Sequence, residues 1–191
     1  SNWQQIGQDI DGEAAGDLSG SSISISDDGL TIAVGAPNNS GNGTYSGHVR
    51  IYNWNGSSWV QLGQDIDGVY SGDRSAEVSL SSNGHILAIG ANMHIGNGSA
   101  GGPSGQVRIF SWNGSSWVQL GNEILGATYG DNSGCAVSLS SNGEIVSIGA
   151  WGHDSPDGGN AGAVKIYYWN GTTWNQLGNI IDGENSPDNS G

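Results

Sequence analysis

Trp3, Trp59, Trp117 and Trp174 stand 56, 58 and 57 residues apart, and Asp17, Asp73, Asp131 and Asp188 follow at the same spacings. The stretch WNGSSWVQLG at 54–63 returns letter for letter at 112–121, and as WNGTTWNQLG at 169–178. Self-similarity at such a period marks an array of supersecondary units and has to be read before any single motif. Each unit must therefore fold in the same way.

One period resolves into four strands. The first carries Ile23/Ile25, Val78/Leu80 or Val137/Leu139 at period two and ends at DDG or SNG. The second, TIAVGA in the first copy, is nearly all apolar or small, as suits a strand buried on both faces. A loop rich in Gly and Asn follows. The third strand puts Val49 and Ile51 on one face and Arg50, Tyr52 and Trp54 on the other. Asn55-Gly56 then predicts a tight type I′ turn into the fourth strand, with φ > 0 at both residues. Trp54 and Trp59, like Trp112/Trp117 and Trp169/Trp174, flank that turn and can meet across the hairpin, where aromatic pairs contribute roughly 0.2–1 kcal/mol.

Four antiparallel strands at this period predict an all-β chain of β-propeller-type blades. The unit boundaries put the last strand of a preceding blade at 1–10, blades at 11–66, 67–124 and 125–181, and the lead-in to a following blade at 182–191. Propellers close with about 4–8 blades, so three blades and one strand are not expected to close on their own. A chain opening mid-repeat at SNWQQIGQDI is expected to be cut or processed from something longer.

SGSSISISDDGLTIAVGAP followed by GHVRIY resembles the FG-GAP repeat of integrin-α-type propellers, in the variant of bacterial and algal surface proteins. The resemblance covers all three repeats. It is intact at Gly35-Ala36-Pro37 and reduced to Gly-Ala at Gly90-Ala91 and Gly149-Ala150. Ser19-Gly20 replaces the Phe-Gly element, and the turns before strand two read SDDG, SSNG and SSNG. The D-x-D-x-D-G calcium loop of the family is therefore not carried over.

Composition narrows the function. Thirty-five glycines with regular Ile/Val alternation and 8 tryptophans fit short strands and tight turns, whereas disordered chains are poor in such residues. The formal net charge of −14 repels phosphate backbones and anionic lipid, excluding nucleic-acid binding. No apolar run reaches the roughly 18 residues of a membrane helix. The single cysteine, Cys135, allows no internal disulfide and is expected to fill a small core site.

No catalytic constellation repeats. His48, His85, His94 and His153 do not recur in all units, and GDNSG at 130–134 has the repeat counterparts GDLSG, GDRSA and PDNSG, so it is a structural turn rather than a nucleophile. No cofactor is expected. The oxygen-rich loops NNSGNG (38–43) and DSPDGGN (154–160) lack regular carboxylate spacing and offer at most weak calcium binding. Arg50, Arg108 and Lys165 share one position of strand three. They are expected to stack on aromatic rings and to pair with the acid of the Gly-Asp element, a basic ligand ring being the alternative. Sequons occur at Asn38, Asn42, Asn55, Asn97, Asn113 and Asn170.

These features favour a non-enzymatic extracellular or cell-surface structural or adhesive protein. Its partner is itself, head to tail, or further repeats of the same chain, by strand completion in a filament or larger array. The alternative is a lectin-like propeller binding glycans between blades.

Overall fold

The computed structural model describes residues 2–95, 102–154 and 159–184, and among these there is no helix. Three antiparallel sheets follow one another along the chain. Blade 1 holds β1 (Ser22–Ile25), β2 (Thr31–Ala36), β3 (His48–Trp54), β4 (Trp59–Gln61) and β5 (Ile66–Asp67). Blade 2 repeats them as β6 (Glu77–Leu80), β7 (Ile86–Ala91), β8 (Gln106–Trp112), β9 (Trp117–Gln119) and β10 (Ile124–Leu125). Blade 3 has β11 (Ala136–Leu139), β12 (Ile145–Ala150), β13 (Ala163–Trp169), β14 (Trp174–Gln176) and β15 (Ile181–Asp182).

The fourth strand of each blade is split. In blade 1, β4 and β5 both pair with β3, Tyr52 opposite Gln61 and Val49 opposite Ile66. The last pieces end at Asp67, Leu125 and Asp182, one residue past the boundaries drawn from the repeat. Among the described residues no sheet closes on another to seal a ring. The chain is all-β and propeller-like.

The hairpin turn differs from the sequence expectation. Gly56 has φ 96°, but Asn55, Asn113 and Asn170 are not among the residues with positive φ, so the turn is not type I′. Trp54 pairs directly with Trp59, leaving a four-residue loop, 55–58. Asn55 Oδ1 accepts the backbone N–H groups of Ser57 and Ser58, each at 2.9 Å. The asparagine side chain stands in for backbone turn geometry, which removes the need for its own strained φ. The tryptophans across this loop pack with tilted rings, their centroids 5.4–5.5 Å apart in the three blades.

The core lies in the joints between blades, not within any single blade. Ala33, Val49, Ile51 and Ile66 of blade 1 pack on Val78, Leu80, Leu87, Ile89, Phe110 and Trp117 of blade 2. Ala88, Val107, Ile109 and Ile124 of blade 2 meet Val146 and Ile148, with Val137, Leu139, Tyr167 and Trp174, of blade 3. Towards the axis the first strands of the blades stand side by side, linked through serine hydroxyls. Val78 N–H and Leu80 N–H donate to Ser22 and Ser24, and Leu139 N–H to Ser79, at 2.9–3.1 Å.

Residues 2–10, the site expected for the last strand of a preceding blade, carry no strand. They lie against blade 1. Trp59 Nε1 donates to the Ile6 carbonyl at 3.2 Å, and Gln8 Nε2 to the Trp59 carbonyl at 2.9 Å.

Close approach at the joint makes a firm prediction. A Cβ at Gly35 would be driven into the Ala76 carbonyl of the next blade. Gly35→Ala is expected to destabilise by about 1–3 kcal/mol, as overpacking does, well beyond the roughly 0.5 kcal/mol of an ordinary surface change. A urea midpoint unchanged from the parent would contradict this geometry.

Candidate functional site

The polar residues that repeat gather where one blade hands over to the next. In blade 2 the Asp73 carboxylate is buried and accepts the backbone N–H groups of Val69 and Tyr70 at 3.0 and 2.9 Å. It thus caps the turn that leaves β5. His94 Nδ1 lies 3.1 Å from its other oxygen, off the hydrogen-bond axis, and the ring stacks on Tyr70. In blade 3, Asp131 is 0% exposed and accepts from Ala127 and Thr128 N–H, from the Thr128 hydroxyl and from His153 Nδ1. In blade 1 the partner of Asp17 is Asn39, whose Nδ2 donates at 2.9 Å.

Asn39, His94 and His153 therefore share one repeat position, at the ends of GAPNN, GANMH and GAWGH. Sequence reasoning missed it by asking for histidine in every unit. Aligning the three units at Gly-Ala would have shown a polar residue facing each repeated aspartate.

The cations correct a second expectation. Arg50 and Arg108 do stand against rings, with their guanidinium carbons 5.7 Å from the Tyr52 centroid and 5.3 Å from that of Phe110. Their strong hydrogen bonds, however, run to main-chain carbonyls, Arg50 to Asp11 and Arg108 to Asp67, both at 2.6 Å. The acids they were expected to meet, Asp17 and Asp73, are taken by Asn39 and His94. Only Lys165 approaches the acid of its own Gly-Asp element, at 3.8 Å from Asp131 Oδ2. Arg108 thereby straps β8 onto the end of the preceding blade, and burial pushes its guanidinium pKa down.

Trp117 Nε1 donates to the Leu62 carbonyl and Trp174 Nε1 to that of Leu120, both at 2.9 Å. Each indole pair sits over a glycine of the preceding blade: a Cβ at Gly63 would strike Trp112 and Trp117. The second tryptophan of WNGSSW is thus a blade-to-blade fastener as well as half of an aromatic pair.

The remaining positions are quickly placed. Asn42, Asn55, Asn113 and Asn170 are exposed and Asn38 is half-buried, while Asn97 and Asp188 lie outside the described residues. The Nδ2 atoms of Asn38 and Asn42 donate to the carbonyls of Gly16 and Gly68, at 3.2 and 2.8 Å. In the loops considered for calcium, Asp154 Oδ1 accepts the Asn160 N–H at 2.8 Å, and 155–158 lie outside the described residues. Ser133 of GDNSG is buried, its N–H given to the Ser104 carbonyl. Cys135 is half-buried, and burial raises its thiol pKa, away from the thiolate a nucleophile needs. Two further groupings could hold a ligand. Glu13, His48 and Asp65 bring three metal-ligating atoms together. A cleft of about 150 Å³ is lined by Tyr70, His94, Gln106, Arg108 and Glu123, among others.

Residues 10–52 match the family model of the FG-GAP repeat, and three propeller-type sheets accompany the match. Residues 10–52 carry an FG-GAP-type repeat within a propeller-like fold. Two solved structures share the fold of this chain. A candidate 6-phosphogluconolactonase from Bacteroides fragilis has a TM-score of 0.59 at 12% identity, over 92% of this chain and 42% of that one. Another, from Bacteroides uniformis, gives 0.55 at 14% identity, over 87% and 41%. The chain thus spans about two fifths of the length of either, and at such identity the likeness concerns the fold alone. A sequence comparison with curated proteins returns no match.

Asp131 generates a pH prediction. Burial alone would raise its pKa, but the hydrogen bonds from Thr128 and His153 and the charge of Lys165 outweigh it and hold the carboxyl below the usual aspartate value. A depressed folded pKa adds stability that is present above the unfolded pKa, about 3.9, and lost as pH falls through the folded value. Acid unfolding of the parent is therefore expected to steepen below about pH 4, and Asp131→Asn to flatten that limb while lowering stability at neutral pH. Identical pH profiles for both would refute the assignment.

Proposed function

We propose that the protein is a non-enzymatic structural or adhesive repeat protein of the cell exterior, whose blades mate end to end with blades of a second copy or of further repeats. The observation that carries this reading is a pair of open faces repeating the geometry of the two buried joints. On blade 1, Ile23 and Ile25 are 64% and 57% exposed, whereas Val78 and Leu80, at the same positions in blade 2, are buried. On blade 3, Leu177, Gly178 and Ile181 are exposed, at the positions where Leu62, Gly63 and Ile66 receive blade 2. A blade 3 edge presented to Ile23 and Ile25 would bury apolar surface on both sides, at about 25 cal/mol per Å².

Residues 2–11 already cover the outer part of blade 1. Ile6, Gly7 and Asp11 stand towards Trp54, Trp59 and Arg50 as Leu62, Gly63 and Asp67 stand towards Trp112, Trp117 and Arg108. An incoming blade takes the place of this segment. An extracellular address is supported by the FG-GAP match, a repeat type typical of extracellular proteins, by the net charge of −14, and by sequons on exposed turns. Oligosaccharides there would project away from the joints.

Glycan binding is the second reading, and the cleft on blade 2 beside its leading turn favours it. Tyr70 offers an aromatic face, and Gln106 Oε1 is a buried acceptor without a hydrogen-bond partner, a place for a sugar hydroxyl. Glycan-array binding abolished by Tyr70→Ala would support it.

Sedimentation across a concentration series tests the principal reading. Mass is expected to grow with concentration, to grow further when residues 1–11 are deleted, and to stay monomeric in an Ile23→Asp/Ile25→Asp variant. A single monomeric species in parent and deletion alike would refute end-to-end mating.

A further inference from the structure

Blade 1 holds three metal-ligating side chains that its scaffold does not require. Glu13 comes from the segment leading into the blade, His48 opens β3, and Asp65 immediately precedes β5; one ligand atom of each lies within 4.8 Å of the others. The corresponding residues are Val69, Gln106 and Glu123 in blade 2, and Ala127, Ala163 and Ile180 in blade 3. Both of those blades build the same sheet without the triad. Its presence in blade 1 is therefore not explained by folding.

His48 is the decisive member. It is 1% exposed, and its backbone is held between Ala36 of β2 on one side and Asp67 of β5 on the other. Its Nδ1 faces Glu13 Oε2 and Asp65 Oδ2, both at 3.8 Å. Neither distance is a hydrogen bond. A buried imidazole nitrogen thus looks towards two carboxylate oxygens that stand back from it, as ligands around a shared centre do.

Ligand atoms at about 2.0–2.2 Å from one ion are roughly 3.3–3.8 Å from each other in tetrahedral or trigonal geometry. The two separations from His48 Nδ1, 3.8 Å each, stand at the edge of that range, and the half-exposed Glu13 side chain can close the third, which is within 4.8 Å. The other groups nearby keep the ligand oxygens oriented. Gln61 Nε2 donates to the far oxygen of Asp65 at 2.6 Å, and Asn39 Nδ2 approaches Glu13 at 3.4 Å. Arg50 is the neighbouring cation, but its Nη2 is committed to the Asp11 carbonyl, and its Nη1 lies towards Oε1 of Glu13, not Oε2.

We propose that Glu13, His48 and Asp65 bind a divalent transition-metal ion of the zinc class, with at least one coordination position left to solvent. One imidazole nitrogen with two carboxylate oxygens is a borderline donor set that suits zinc; calcium takes 6–8 oxygens and gains nothing from a buried imidazole. Because Glu13 belongs to the leading segment while His48 opens β3 and Asp65 adjoins β5, the ion pins that segment to blade 1.

The test is calorimetric titration of the full chain with zinc chloride in the presence of saturating calcium. One ion per chain is expected to bind, with protection of the bond after Glu13 from a Glu-specific protease. His48→Gln and Glu13→Gln are each expected to weaken binding at least about tenfold; Glu13 is half-exposed, so its variant keeps the parent circular dichroism even if the His48 variant does not. His94→Gln and His153→Gln are expected to bind zinc as the parent does. Absence of binding, binding undiminished in Glu13→Gln, or binding lost in a folded His94→Gln variant would each overturn the assignment.

Discussion

A four-stranded blade of this length cannot bury both of its faces, and the contact between neighbouring blades is the interaction on which the rest of the structure depends. Each joint has three layers. Near the axis, serine hydroxyls of one first strand take the N–H groups of the next, so two strands that share no ladder still satisfy part of their backbone. In the middle, aliphatic side chains of strands two and three interdigitate. At the rim, an indole N–H and a guanidinium reach main-chain carbonyls of the preceding blade. The rim bonds are directional where the aliphatic layer is not, and they fix the angle at which one sheet meets the next.

This division explains why the repeat is strict in some places and loose in others. Tryptophan, glycine and aspartate recur because each touches a neighbouring blade's backbone or caps the turn between blades, and backbone geometry repeats whatever the sequence. The loops between strands two and three vary in length but keep main-chain bonds to the segment entering the next blade, Arg74 N–H to the Tyr45 carbonyl in one case and Ser133 N–H to the Ser104 carbonyl in another. The residue facing the repeated aspartate is free to be Asn39, His94 or His153 because all three present a nitrogen there.

Strand order, the aromatic pairs and the burial of strand two were legible in the sequence because each is set by period and local propensity. The turn type was not. Asn-Gly is compatible with positive φ at both residues, but a serine two positions on supplies an N–H that the Asn55 side chain captures, and a longer loop results. Pairings across joints were also out of reach. Arg108 has three carboxylates within its electrostatic surroundings, Asp73, Asp67 and Glu123, yet it hydrogen-bonds the main-chain carbonyl of Asp67. Which oxygen wins depends on the rim geometry of two sheets, and no spacing along one strand encodes it. The triad of Glu13, His48 and Asp65 spans three segments far apart in sequence and escaped for the same reason.

A repeat array separates structural from chemical demands by internal comparison. A residue present in every blade can be assigned to the scaffold, and one present in a single blade cannot. Blade 1 departs most from its neighbours: asparagine where the others have histidine, histidine where the others have Gln106 and Ala163, and an acid in the leading segment where they have Val69 and Ala127. All of these departures face the same joint, the one that residues 2–11 cover in place of a full blade. The covering segment supplies Ile6 and Gly7 to the tryptophans but contributes no sheet, so its apolar contribution is smaller than that of a blade. Polar fastening makes up part of that deficit: the Asp11 carbonyl takes the Arg50 guanidinium as the Asp67 carbonyl takes that of Arg108, and Asp182 holds the same repeat position at the end of blade 3.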